Sequence, residues 1–277
     1  MTDTTVSIQG SDVPALGFGT WQLKGKDCSE GVATALQAGY RHIDTARIYE
    51  NEAEVGEGLR AGGVAREEIW VTSKVWTSDF TRDRVRRATE KSLEALGIEQ
   101  LDLYLMHWHN PDVPLEETLT ALREVQEEGL VRHIGVSNFT VALVDEARRH
   151  ATIFANQVEY HPYLGQAKLV AQAQEHDILL EAYSPFAHGL LHDDEVLTEI
   201  GRAHGKSAGQ VALRWLLDHP NVCALPKATA PERIRQNLEV FDFELSDEER
   251  RRIDGLERGK RTADPAWAPD WDEPSAA

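Results

Sequence analysis

Short runs of β-branched, aliphatic and aromatic residues recur along the chain, separated by longer stretches in which apolar residues return every three or four positions. The first kind reads as buried strand, the second as amphipathic helix. Eight strands are predicted: Leu16–Gly19, His42–Asp44, Ile69–Val75, Leu101–Met106, Val131–Ser137, Ala155–Glu159, Leu179–Tyr183 and Val222–Leu225. Helical periodicity occupies, among others, Ser29–Ala38, Asp83–Leu96, Pro114–Glu128, Leu164–His176 and Ser207–Asp218, several of which open on Ser, Asp or Pro. Strand and helix alternating eight times predict a parallel sheet covered by helices. Closing that sheet gives an α/β fold of the (β/α)8 TIM barrel type; the other arrangement is an open, doubly wound sheet.

The two ends depart from the alternation. Val6–Ile8, then Gln-Gly-Ser-Asp, then Pro14–Leu16 read as an N-terminal β-hairpin that would close the barrel bottom. Beyond Val240 a capped helix is expected over Ser246–Leu256, and then an acidic tail, Thr262–Ala277, rich in Pro and Trp. The tail has little periodicity and reads as a surface loop over the top or side of the barrel, or as a partly disordered end. With no Pro/Gly-rich linker in the middle, residues 1–277 are expected to form one domain whose core runs from Val6 to Leu256.

Composition changes this picture only in its charge. The hydrophobic fraction of 41% is ordinary, and no window approaches the uninterrupted apolar length of a membrane span. The opening MTDTTVSIQG has no basic region followed by an apolar one, so a cytoplasmic chain without a secretory signal is expected, and a monomer. Cys28 and Cys223 are far apart and belong to no CxxC, which predicts two small buried hydrophobes. Acidic residues number 47 against 29 basic ones, only eight of which are lysine, for a net charge of −18. Such a surface repels nucleic acid. It fits either a salt-adapted protein, whose self-repulsion is screened in concentrated salt, or an ordinary acidic one.

In a barrel of this kind the chemistry gathers at the C-terminal ends of the strands. Asp44 ends the second strand, Tyr49 follows in the next loop, Lys74 lies near the end of VTSKVW and His107 ends LDLYLMHW. Singly these residues read as a helix cap, a packing ring, a solvated cation and a hydrogen-bonded core histidine. Jointly they fit carbonyl reduction, in which a proton must reach oxygen as hydride reaches carbon. A phenol of reference pKa about 10 needs help to give up its proton. Lysine stabilises the phenolate, aspartate keeps that lysine charged, and a neutral histidine can orient the substrate oxygen.

GFGTWQ, the GYRHIDTA..Y.NE block, the Lys74–Trp76 segment, DLYLMHW, IGVSNF, NQVEYHP, AYSPF and LPKATAPERIRQN occur in one order between Val6 and Leu256, and together resemble the aldo-keto reductase superfamily. The resemblance implies the barrel, a nicotinamide cofactor held without a Rossmann fold, and a catalytic tetrad of Asp44, Tyr49, Lys74 and His107. It further implies that Ser137, Asn138 and Gln157 bond the nicotinamide carboxamide and that Tyr183 stacks on the ring. Gly19, Thr20, Trp21 and Asp44 would border the cofactor, and Ser184 with the Phe186–Leu191 loop, Leu190 included, would cradle its pyrophosphate.

The same resemblance places Lys227 and Arg233 at an adenosine 2′-phosphate and Gln236 and Asn237 at adenine, implying NADP(H), with NAD(H) also in reach. Ala228 stands where the family usually has a hydroxyl, and Thr229 is the nearest substitute. Trp21, Ile48, Trp76, His107 and Trp108 match substrate-pocket positions. His109 replaces the family's proline, yet no carboxylate lies at ligand spacing from His107, His109 or His161, so no metal is expected. The short His109–Leu115 segment and brief tail are similar to the compact prokaryotic group that includes 2,5-diketo-gluconate reductases, and imply an open pocket. The expected function is NADPH-dependent reduction of aldehydes, keto-sugars or keto-acids. The other reading is a nicotinamide-sensing binding module with little turnover; an isomerase barrel would want a Gly-rich phosphate loop that SPFAHG and LPKATA do not supply.

Overall fold

The computed structural model describes residues 4–272, so the last five positions of the predicted tail lie outside the described residues. A hairpin comes first, β1 (Thr5–Ile8) paired antiparallel with β2 (Ser11–Pro14) in the register Ile8 opposite Ser11. Its turn is the two residues Gln9 and Gly10, both at positive φ, the primed geometry whose twist suits a tight hairpin. The second strand therefore begins at Ser11, three residues before the Pro14 expected from sequence, because Ser and Asp were read as turn formers and here take strand positions. Ile8 and Val13 pack with Trp70, Leu103, Leu105, Phe154 and Leu179 in a cluster of their own, which closes the base of the barrel.

Eight parallel strands follow: β3 (Phe18–Gly19), β4 (His42–Asp44), β5 (Trp70–Val75), β6 (Leu101–Met106), β7 (Val131–Ser137), β8 (Ala155–Glu159), β9 (Leu179–Tyr183) and β10 (Val222–Leu225). They lie side by side in chain order, and the ends of the sheet meet where Gly17 N donates to Ala224 O at 2.9 Å and Gly19 N to Pro226 O at 3.0 Å. Closure is the reason for glycine at 17. A Cβ there would stand 2.5 Å from the Leu225 side chain and 2.9 Å from the His42 ring.

Around this barrel run α1 (Gly25–Ala38), α2 (Glu52–Ala61), α3 (Arg82–Leu96), α4 (Leu115–Glu127), α5 (Val141–Ala147), α6 (Ala167–His176), α7 (Glu195–His204), α8 (Ala208–Leu217), α9 (Pro231–Gln236) and α10 (Asp247–Asp254). The predicted Leu164–His176 helix starts three residues later than expected, since Leu164 is taken by a bridge to His161. Ser207 and Ser246 close capping boxes with Gln210 and Glu249, satisfying orphan N–H groups at the starts of α8 and α10. The main core fills the layer between strands and helices. No helix among the described residues is long and apolar enough to cross a membrane.

Candidate active site

Three strand ends bring Asp44, Lys74 and His107 to one rim, and a short loop folds Tyr49 back over them. The loop is held from below: Asn51 donates to Thr20 O and Leu23 O at 2.9 and 3.0 Å and accepts from the Thr45 hydroxyl at 3.0 Å. Lys24 Nζ donates to the carbonyl of Tyr49 itself. Tyr49 ends a 3-10 turn, Arg47–Tyr49, that stops where Glu50 adopts φ 53°. These bonds fix a half-buried phenol.

Lys74 is fully buried, and its ammonium lies 2.8 Å from both Asp44 oxygens, 2.8 Å from Thr45 O and 3.5 Å from the Tyr49 hydroxyl. A buried cation requires such partners. Burial works against the charged lysine, but Asp44 and Tyr49 outweigh it and raise its pKa. Burial also pushes the Tyr49 phenol above its ordinary value, with Lys74 pulling it down and Asp44 pushing it up. The sequence argument named only the lysine. Desolvation dominates, so Tyr49 carries its proton at neutral pH, the state a donor needs.

His107 is edge-on to Tyr49, ring centroids 5.7 Å apart, and perpendicular to Trp76 at 5.1 Å. Burial and then Lys74 hold its pKa well below the ordinary value, leaving a neutral imidazole. Its Nδ1 has no hydrogen-bond partner among the described residues.

Beside this rim the strands β7, β8 and β9 converge. Ser137 Oγ donates to Gln157 O at 2.8 Å, and Asn138, at φ 62°, donates to His107 O at 3.0 Å and to Ser137 Oγ at 3.1 Å. The Tyr183 hydroxyl donates to Asn138 Oδ1 at 2.7 Å, which sets the ring's direction. Gln157 spends Nε2 on Asp44 Oδ1 and Glu181 Oε2, both at 2.8 Å. What this patch has left is acceptors, the Gln157 carbonyl oxygen and serine lone pairs, which suit the N–H groups of a primary carboxamide. The residues therefore fit a nicotinamide.

Further along the same face, Ser184, Ala187, His188 and Gly189 all take positive φ in the loop after β9. Trp21 reaches His188 at 5.4 Å between ring centroids, so the Trp21 and Ser184–Leu190 loops meet. Gly19 and Thr20 are buried below, the Thr20 hydroxyl on Asp44 O at 3.0 Å. Lys227, Thr229, Arg233 and Gln236 are exposed, and neither Lys227 nor Arg233 makes an ion pair among the described residues. Asn237 differs. It is half-buried at the end of α9, where the Tyr40 hydroxyl donates to Ile234 O at 3.2 Å. Ala228 packs into the core between the outward Lys227 and Thr229.

Of the substrate-pocket positions, Trp76, His107 and Trp108 come together, while Trp21 and Ile48 stand exposed at the rim. The tail crosses the rim of this pocket as a surface loop, with Trp267 itself half exposed. Trp267 packs edge-on against Trp76 at 6.0 Å and Trp108 at 4.9 Å, and Trp271 reaches Trp108 at 6.0 Å. Glu159 anchors this strap: it accepts from Thr262 N at 2.8 Å, from Ala263 N at 2.9 Å and from the Thr262 hydroxyl, and it pairs with buried His161 at 2.9 Å. Sequence reading passed over Glu159 within NQVEYHP and over both tail tryptophans.

Cys28 and Cys223 are both buried and free, as expected, and Cys223 joins the cluster at the barrel base. On its other side the Cys223 thiol donates to Glu181 at 3.9 Å, in a polar group with His42. Within it His42 Nε2 lies 3.2 Å from the Thr72 hydroxyl, and Glu181 Oε2 accepts from Gln157.

The model of the Aldo/keto reductase family matches residues 15–258. A glyoxal reductase of Bacillus subtilis is 44% identical over 262 residues, 94% of each chain, and a methylglyoxal reductase of Escherichia coli O157:H7 is 38% identical over 94% of this chain and 99% of its own. Among solved structures, one provisionally assigned as a 2,5-diketo-D-gluconic acid reductase B superposes with a TM-score of 0.95 at 42% identity, covering 99% of this chain and 98% of the other. An aldose reductase from Schistosoma japonicum gives 0.87 at 33% identity over 95% and 94%. A barrel that brings a buried lysine, an aspartate, a phenol and a neutral imidazole to one rim, matched by a family model over most of its length, places this chain in the aldo/keto reductase family of carbonyl-reducing oxidoreductases.

Proposed function

We propose that the chain reduces small aldehydes and ketones with NADPH, taking α-dicarbonyls such as glyoxal and methylglyoxal, as well as keto-sugars and keto-acids. The observation that carries this reading is the Tyr49 hydroxyl 3.5 Å from an ammonium that Asp44 holds at 2.8 Å. When bound, the nicotinamide supplies a hydride to the carbonyl carbon. Tyr49 donates its O–H proton to the carbonyl oxygen, and the tyrosinate left behind is met by Lys74. His107, neutral, orients that oxygen by hydrogen bonding, and Trp76 and Trp108 would give it an apolar wall.

Ser137, Asn138 and Gln157 would hold the carboxamide, Tyr183 the ring face, and Gly19, Thr20, Trp21, Ser184 and Leu190 the path to the pyrophosphate. Lys227 and Arg233, exposed and without ion-pair partners among the described residues, would hold the 2′-phosphate, with Thr229 lending a hydroxyl and Gln236 facing adenine. Asn237, half-buried one residue on, would border adenine beside it. A cytoplasmic monomer suits diffusible substrates of this size. Purified protein should consume NADPH faster than NADH with glyoxal and methylglyoxal. Failure to consume either cofactor across a panel of aldehydes, keto-sugars and keto-acids would overturn the reading.

A further inference from the structure

Gln157 lies between two acids carried by different strands. Its Nε2 is 2.8 Å from Asp44 on β4 and 2.8 Å from Glu181 on β9, and all three side chains are buried. Asp44, paired through both oxygens with Lys74, can only accept. The amide must therefore turn its NH2 toward the acids, and its carbonyl oxygen is the atom left to offer.

Beyond Glu181 lie the His42 imidazole, 3.5 Å from Oε1, and the Cys223 thiol at 3.9 Å, while Asp44 and Lys74 supply the charges that face it. Burial, reinforced by Asp44, pushes the Glu181 carboxyl up to about 8, and burial pushes the His42 ring down to about 4. Near neutrality both are uncharged. Their contact is then one between neutral groups, and Glu181 accepts from Gln157 without setting a second negative charge beside Asp44. A permanently neutral residue would serve electrostatics equally well, so the acceptor is what the position provides.

We propose that Glu181 is a positioning residue for the nicotinamide: its bond to Nε2 locks the Gln157 amide in one orientation and leaves the carbonyl oxygen to accept an N–H from the cofactor's carboxamide. The inference rests on the reading that Gln157 meets that carboxamide. Without Glu181 the amide keeps one tether of two, and rotation about its last torsion competes with binding.

The test measures cofactor binding, by quenching of tryptophan fluorescence, for the parent and for Glu181→Leu and Glu181→Gln. NADPH is compared with 2′,5′-ADP, which carries the adenosine phosphates and no nicotinamide. Loss of one buried hydrogen bond corresponds to roughly a tenfold rise in Kd. Glu181→Leu should show that rise for NADPH and bind 2′,5′-ADP like the parent, and Glu181→Gln, which keeps an acceptor oxygen at the same reach, should stay within about threefold of the parent. Glu181→Ala replaces the leucine variant if that one does not fold. NADPH binding left unchanged, or weakened equally with 2′,5′-ADP, would overturn the proposal. A parent protein that does not bind NADPH at all would instead overturn the functional reading on which it rests.

Discussion

Lys227 and Arg233 are two exposed cations in a chain whose net charge is −18, and neither is paired with an acid among the described residues. Under the proposed reading these two cations would meet an anion from outside. Arginine's planar fork suits a phosphate, and the position of Arg233 is felt nearby, since after burial it is the strongest influence lowering the His192 pKa. Arg233→Ala should therefore raise the Kd for NADPH by about tenfold or more while leaving the NADH value within about twofold. Equal effects on both cofactors would remove the 2′-phosphate role. Ala228, where the family usually has a hydroxyl, points inward, and in this loop the side chains that face outward are at 227 and 229. That alternation is legible only once the backbone is known. The four rim residues were legible beforehand, because each ends a recognisable strand or follows one closely. Glu159 and Glu181 were not, since a strand-end glutamate gains meaning only from partners the fold supplies, 103 positions away for Thr262 and 24 away for Gln157.

Elements inherit their precision from such bonds. The eight strands were readable because they are buried on both faces and therefore nearly continuous in apolar residues. The hairpin slipped by three residues because turn-forming residue types also occupy its second strand, and only the positive φ of Gln9 and Gly10 locates the bend. The tail was the least legible, having neither periodicity nor a cap, yet it is tied at three places. Glu159 holds Thr262 and Ala263, Arg261 stacks 3.7 Å from the Trp271 ring, and Asp272 accepts from Val141 N at 2.9 Å. Burial alone would raise the Glu159 pKa. His161 and the tail's donors overcome it and hold the carboxyl at about 2. Its folded value is depressed below the ordinary 4.5, so its contribution to tail docking is complete above about pH 4.5 and is lost as the pH falls through about 2. Glu159→Gln should mimic that loss at neutral pH, replacing charge-assisted bonds with weaker ones. Its KM for methylglyoxal should rise roughly threefold to tenfold with kcat and NADPH binding little changed, and proteolysis near Thr262 should accelerate. A variant with unchanged KM and unchanged proteolysis would show that the strap holds without its anchor.

For the whole molecule the governing quantity is charge. Ion pairs are plentiful on the surface, Arg82 with Glu124, Arg86 with Glu90 and Glu128, and Arg252 with Glu199 among them. Exposed pairs of this kind contribute little to stability and weaken in salt. The excess of 47 acids over 29 bases acts in the opposite sense, because its repulsion opposes compaction and is relieved as the screening length falls from about 8 Å in physiological salt to about 3 Å at 1 M. If the excess reflects adaptation to salt, the Tm should rise between dilute buffer and molar potassium chloride. A Tm that stays level or falls would assign the charge to an ordinary acidic surface. At this scale strand count and order narrowed the fold to a barrel or an open doubly wound sheet and the family resemblance chose the barrel, whereas the meaning of the charge is not contained in any single contact.

The account as a whole depends on one proton, the one on Tyr49 Oη. The decisive measurement is steady-state reduction of methylglyoxal by Tyr49→Phe beside an NADPH binding curve for the same protein. The ring remains, so its packing against His107 remains, and only the donor is lost. A fall in kcat of about a hundredfold or more, with the NADPH Kd within about threefold of the parent, is the predicted result. A phenylalanine variant that turns over like the parent would contradict it.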